Sequence, residues 1–251
     1  MKKFPPLKIL YEDGDCVVIN KPAGLIVHPA GSEETDKPSV AEWVTKKYPE
    51  ARDVGEPIIL SDKTEITRPG IVHRIDRDTS GALLIAKNPK AFKFFKKQFQ
   101  NREVEKIYNA FVYGDMKYED GIIEKPLAKS MTDFRKWTTS HNVRGEVRDA
   151  LTAYRVLARG DGVTLIEARP KTGRTHQIRV HMKSIERPVV CDSLYASYEK
   201  PILGFKRLAL HARAISFTSK KGQRIEVVAP YPKDFLSAMK KIGYKNKSST
   251  K

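Results

Sequence analysis

Short apolar runs separated by turn formers open the chain. Residues 7–11 read as a strand, Glu12-Asp13-Gly14-Asp15 as a turn and residues 16–19 as the partner strand, because Asp and Gly supply tight-turn chemistry between two β-prone runs. A further short run covers residues 25–27, after Lys21-Pro22-Ala23-Gly24. Ser39 is placed to cap a helix reaching Tyr48, its hydroxyl accepting an open first-turn amide. Residues 49–70 are polar and rich in turn formers, which predicts a loop. Residues 71–75 then run toward Asp76, and residues 82–86 read as a strand. From Pro89 to Asn101 the period lengthens. Ala91, Phe94, Phe95 and Phe99 fall on one helical face while Lys90, Lys93, Lys96 and Lys97 supply the solvent side, so these aromatics are expected in a core.

Strands are predicted at residues 107–113, 152–157, 163–168, 208–217 and 224–228, with helices over 175–185 and 235–242. Residues 128–149 are polar and carry Lys129, Arg135, Lys136, Arg144 and Arg148, which reads as an RNA-contacting loop or a solvated insertion. Many strands with helices interspersed, and no regular alternation of the two, predict an α+β fold. No internal repeat is evident.

Composition fits a folded chain: 251 residues, 40% hydrophobic and 31% charged. No apolar run approaches a membrane span and the opening MKKFPPLKIL lacks the apolar segment of a secretory signal, so the expected location is cytoplasmic. Cys16 and Cys191 match no disulfide framework and are expected reduced. The formal charge of +17 changes the picture more, because it exceeds what solubility needs and points to a polyanion partner.

Two segments concentrate polar chemistry. RPGIVHRIDRDTSGALLIAKN, residues 68–88, sets His73, Arg74, Asp76, Arg77 and Asp78 between apolar runs, where flanking cations favour an ionised carboxylate able to act as a nucleophile. A salt-bridged turn is the plainer reading of that composition. RPKTGRTHQIRVHMKS, residues 169–184, offers Gly173 for a turn and a helix on which Thr175, Arg179 and Met182 share a face. His28, His176, His181 and His211 match no zinc spacing, and the HxE with PCxxC pattern of zinc nucleobase deaminases is absent.

With three further segments these stretches resemble the bacterial family of ribosomal and transfer RNA pseudouridine synthases that share an HR(L/I)D motif. HRIDRDTSG (73–81), KIYNAFVYG (106–114) and GRTHQIRVHM (173–182) match its catalytic, tyrosine and basic motifs. VVINKPAGLIVHP (17–29) and LALHARAISF (208–217) match its entry strand and a late strand, so the resemblance spans residues 8–236. It implies a pseudouridine synthase fold over residues 1–240, with a central, mostly antiparallel mixed sheet flanked by helices and loops, and a basic tail over 241–251. It implies isomerisation of uridine in structured RNA, with no cofactor or metal demanded; ribosomal RNA is the expected substrate, no membrane or obligatory protein partner is expected, and a monomer is expected because no self-association feature is evident. The alternatives are the same reaction on transfer RNA and a non-catalytic RNA-binding protein on the same fold.

The same resemblance makes Asp76 the nucleophile in place of Asp78, sets Tyr108 against the target base and pairs Arg179 with Asp76. Arg74, His73 and Arg174 are implied to position RNA or the target base, His73 chiefly as part of the catalytic-loop scaffold. Direct attack at C1', glycal formation and addition to the base all remain open routes. Two departures stand out. Cys191 precedes Asp192 where the family has glycine, which a small cysteine tolerates if the torsion is ordinary, and the catalytic pattern begins almost at once, so the family's common N-terminal RNA-binding domain is expected to be absent.

Overall fold

The computed structural model describes residues 6–29, 31, 34–59, 63 and 65–245. In chain order its first elements are β1 (Lys8–Glu12), β2 (Cys16–Lys21), α1 (Val40–Lys47), β3 (Ile58–Ile59), β4 (Glu65–Ile66), β5 (Ser80–Ala86) and α2 (Pro89–Gln100). Next come β6 (Glu105–Tyr113), β7 (Asp120–Glu124), β8 (Leu127–Ser130), β9 (Trp137–Thr138), β10 (Val143–Arg148), β11 (Leu151–Gly160) and β12 (Val163–Pro170). The last are α3 (Gln177–Lys183), β13 (Leu210–Thr218), β14 (Arg224–Val228) and α4 (Lys233–Lys241). The mixture is α+β, as the patterning predicts. The chain gathers into two compact units, one ending at Glu105 and completed by Ala212–Pro230, the other Lys106–His211 and the residues from Tyr231 onward.

In the first unit the strand order is β1-β2-β5-β13, with β14 beside β13. Asp13 closes the opening hairpin, its Oδ1 accepting the N–H groups of Asp15 and Cys16 at 2.8 Å each. Cys16, Val17, Val18 and Ile19 are wholly buried and all seven residues of β5 are buried, which explains their continuous apolar runs in place of alternation. Ser39 caps α1 as predicted, Oγ accepting the Glu42 N–H at 3.1 Å. Helix α2 matches its predicted span, but its buried face is Ala91, Phe92, Phe95 and Gln98, rotated from the expected stripe. The rotation follows from Gln98, whose amide satisfies both the N–H and the carbonyl of Thr218, at 2.9 and 2.8 Å. Phe95 packs edge-on to Phe217 with ring centres 5.5 Å apart.

Two apolar runs are not strands. Residues 25–27 and 71–75 carry only isolated bridges, Ile26 to Ser39 and Ile71 to Ile85, and the predicted loop at 49–70 holds the short β3–β4 pair.

The second unit is built on the antiparallel order β6-β12-β11-β7. Its core joins Phe111, Leu165, Ile166, Phe205 and Phe235. The polar segment at 128–149 is not a loop: β8 pairs with β10 and β9 in a separate three-stranded sheet. Helix α3 is shorter than predicted. His176 takes a left-handed φ of 56°, so the helix starts at Gln177, and Thr175 lies outside it rather than on a face with Arg179. Of the predicted flexible tail, residues 246–251 lie outside the described residues.

Candidate active site

The HRIDRDTSG stretch is an extended segment ending in a turn that feeds β5. Ile71 and Ile75 are buried and anchor it, while the Asp76 carbonyl accepts the Thr79 N–H at 3.1 Å and closes the turn. Asp76 itself is half-buried. Asp78 instead holds the exposed Arg77 guanidinium at 3.2 and 3.3 Å, a surface pair of small energetic weight. Arg74 is exposed and makes no hydrogen bond or ion pair with another described residue. His73 Nε2 accepts the Leu84 N–H at 2.9 Å and its ring stacks on Phe99 with centres 4.6 Å apart. The acceptor role places the ring proton of neutral His73 on Nδ1.

Three more contacts pin this turn. Lys21 is 0% exposed, and its ammonium donates to the carbonyls of Pro22, Leu25 and Arg77 at 2.8, 2.7 and 2.9 Å. The Arg77 carbonyl also accepts the Gly24 N–H at 2.9 Å, so the NKPAG loop and the Asp76 turn share one acceptor. Gly81, at φ 117°, approaches Ala212 so closely that a Cβ would lie 2.2 Å from its carbonyl oxygen, which only glycine permits. Lys21 escapes a reading by composition because it resembles any surface lysine. Its one signal is a charge at the end of a buried strand.

In the second unit Arg179 is 6% exposed and forks onto Asp192, Nε to Oδ2 at 2.7 Å and Nη2 to Oδ1 at 2.8 Å. Asp192, 1% exposed, also accepts the N–H groups of Leu194 and Tyr195 at 3.0 and 3.1 Å. The Arg179 guanidinium lies over the Tyr195 ring, 5.1 Å from its centre. Tyr195 Oη in turn accepts the Trp137 N–H and meets His176 Nδ1, both at 2.9 Å. Asp192 and Tyr195 are thus the supports of Arg179 that residue patterning missed. At Cys191 the condition of an ordinary torsion is not met: φ is 56°, the left-handed region where glycine is unstrained.

Tyr108 is half-buried on β6 opposite Ala168 of β12 and packs against the core. Lys106, two residues earlier and so on the same face, is pushed down to about 8 by burial, with Lys171 adding like-charge repulsion. Arg174 Nε donates to the Asp149 carbonyl at 3.1 Å, and its N–H to Gln177 Oε1 at 3.0 Å. Burial pushes His28, 3% exposed in the first unit, down to about 4, with Arg74 and Arg68 acting in the same direction. Its Nδ1 faces the Pro29 carbonyl at 2.7 Å and so carries the proton, leaving Nε2 buried without a partner among the described residues.

The RNA pseudouridylate synthase family pattern matches residues 15–184. RNA pseudouridine synthase YlyB of Bacillus subtilis is 37% identical over 94% of this chain and 73% of its own length. Ribosomal large subunit pseudouridine synthase D of Zymomonas mobilis is 34% identical over 97% and 75%. Among solved structures, human RNA pseudouridylate synthase domain containing 1 superposes with a TM-score of 0.70 at 24% identity, covering 92% of this chain and 87% of that one, a likeness of fold. The match over most of its length places this chain in the RNA pseudouridine synthase family, the isomerases that convert uridine in RNA to pseudouridine.

Proposed function

We propose that the enzyme modifies ribosomal RNA and that Asp76 is its nucleophile. The observation that carries the assignment is the construction of the turn: its backbone is held at the Arg77 carbonyl by Lys21 and Gly24 and braced by the scaffold at His73, and of its two half-buried aspartates Asp78 is engaged by the Arg77 guanidinium. Such rigidity suits a group that must meet a carbon atom at bonding distance. Arg179, fixed by Asp192 and Tyr195, is the residue assigned to pair with Asp76. Tyr108 presents its ring to the uracil, and the exposed Arg74, with His73 and Arg174, positions the flipped nucleotide.

The reaction breaks the N1–C1' bond, turns the retained base and forms C5–C1', with C5 losing a proton and N1 gaining one. No electron is gained or lost overall. Ribosomal RNA is favoured because relatives such as those of Zymomonas mobilis and Xanthomonas campestris bear the name ribosomal large subunit pseudouridine synthase D. The charge of +17 suits a large polyanion. A cytoplasmic monomer is the accompanying proposal, and among the described residues no helix is long and apolar enough to cross a membrane. The test is incubation with unmodified ribosomal and transfer RNA, followed by site-resolved pseudouridine mapping. Product at a discrete ribosomal position is expected. Product in transfer RNA alone would reassign the substrate, and none in either, with folded RNA-binding protein, would favour a binding role.

A further inference from the structure

We infer that a cavity in the second unit binds one unstacked nucleotide of the RNA substrate, outside the residues assigned to the reaction. The inference rests on RNA as the substrate. The cavity, about 550 Å³, lies between the β8–β9–β10 sheet, α3 and the turn after Asp192. That is within the range of about 300–1,000 Å³ usual for small-ligand sites. Val180, Tyr195 and Trp137 line it, and behind them Leu127 and Ala150 complete a small apolar cluster that supports this wall.

The walls have the chemistry of a nucleotide site. Trp137 is half-buried and Tyr198 is 63% exposed, two aromatic side chains available to a base. Lys183 Nζ lies 4.6 Å from the Tyr198 ring centre and donates to its hydroxyl, which sets a cation beside the aromatic. Lys136 also lines the cavity, but Asp133 sits 3.8 Å from it, so the cationic argument rests on Lys183. Ser130, Thr138 and Ser140 add hydroxyls able to meet ribose or base edges. A neighbouring cavity of about 430 Å³ shares Lys183 and Tyr198 but adds Glu186 and Glu199. Arg187 lines that cavity too, so its cations and carboxylates balance, whereas no carboxylate lines the first cavity, which is therefore the better seat for a nucleotide. Tyr195 forms part of this wall and also lies under the Arg179 guanidinium, so occupancy bears on a residue that supports Arg179.

The chain has two tryptophans, Trp43 and Trp137, so Trp43→Phe leaves Trp137 as the sole reporter. Titrating that protein with hexauridylate is expected to quench Trp137 emission saturably. Lys183→Ala or Tyr198→Ala, with melting curves showing an intact fold, is expected to weaken the apparent Kd about tenfold. Absence of saturable quenching overturns the inference, as does equal quenching by inorganic polyphosphate, which would mark an anion patch with no base stacking. Unaltered affinity in both cavity variants also overturns it. Failure of the isomerase assignment reads differently: ribosomal RNA would carry no pseudouridine while the Trp137 signal and its dependence on Tyr198 persisted, which supports the cavity.

Discussion

The Asp76 turn and the β8–β10 sheet are both polar stretches between apolar strands, yet they are built on opposite terms. The turn is held from within: a buried lysine, a backbone amide and a histidine ring fix its carbonyls and its approach to β5. The sheet shows most of β10 to solvent, Phe134 in the β8–β9 connection is 77% exposed, and one buried tyrosine hydroxyl braces the Trp137 amide. Bond-making chemistry gains from the first kind of construction, because small displacements of a nucleophile cost large factors in rate. Contact with a flexible strand of RNA gains from the second, where side chains adapt and phosphate contacts tolerate movement.

Breaking the interior supports should therefore cost most. Asp192→Asn strips the buried charge from the Arg179 fork and is expected to lower stability by about 3–5 kcal/mol and pseudouridine formation with it, read by urea unfolding and single-turnover assay. Lys21→Met takes the ammonium donor from three carbonyls; that of Arg77 keeps the Gly24 N–H, while those of Pro22 and Leu25 each lose about 1–3 kcal/mol. It should depress activity even where the protein remains folded, so an active, equally stable variant would remove Lys21 from the account.

A pH effect comes next. His28 is held neutral in the fold, at about 4, while an exposed histidine titrates near 6.5. The unfolded chain therefore binds the extra proton first, and stability falls as pH drops from about 6.5 toward about 4 by roughly 3 kcal/mol. His28→Gln should flatten that limb relative to the parent protein in unfolding curves, and identical limbs would exclude His28 as its origin. The smallest change expected is Cys191→Gly. Relief of the left-handed torsion is offset by the Sγ contact to the Phe205 carbonyl at 3.4 Å, so the melting midpoint should move by no more than the equivalent of about 1 kcal/mol.

The same contrast explains what could be read from sequence. Strands β2 and β5, helix α1 with its Ser39 cap and the span of α2 were legible because burial writes apolar runs and capping writes a serine. The β8–β10 sheet was not. It is closed by backbone pairing, with Lys129 opposite both Arg144 and Trp137, and offers no apolar alternation to detect. The first residue of α3 was hidden by His176, whose left-handed torsion no periodicity predicts. At the site, Asp76 and Arg179 stood out through their motifs, whereas Lys21, Asp192 and Tyr195 act through distances between segments that a linear pattern does not carry.

Asp76→Asn is the most direct test of the central claim, because it removes one charge and leaves the backbone bond from Asp76 to Thr79 intact. Site-mapped pseudouridine in unmodified ribosomal RNA should appear with the parent protein and vanish with this variant at unchanged RNA affinity. Equal product from both would contradict the assignment of the chemistry to Asp76.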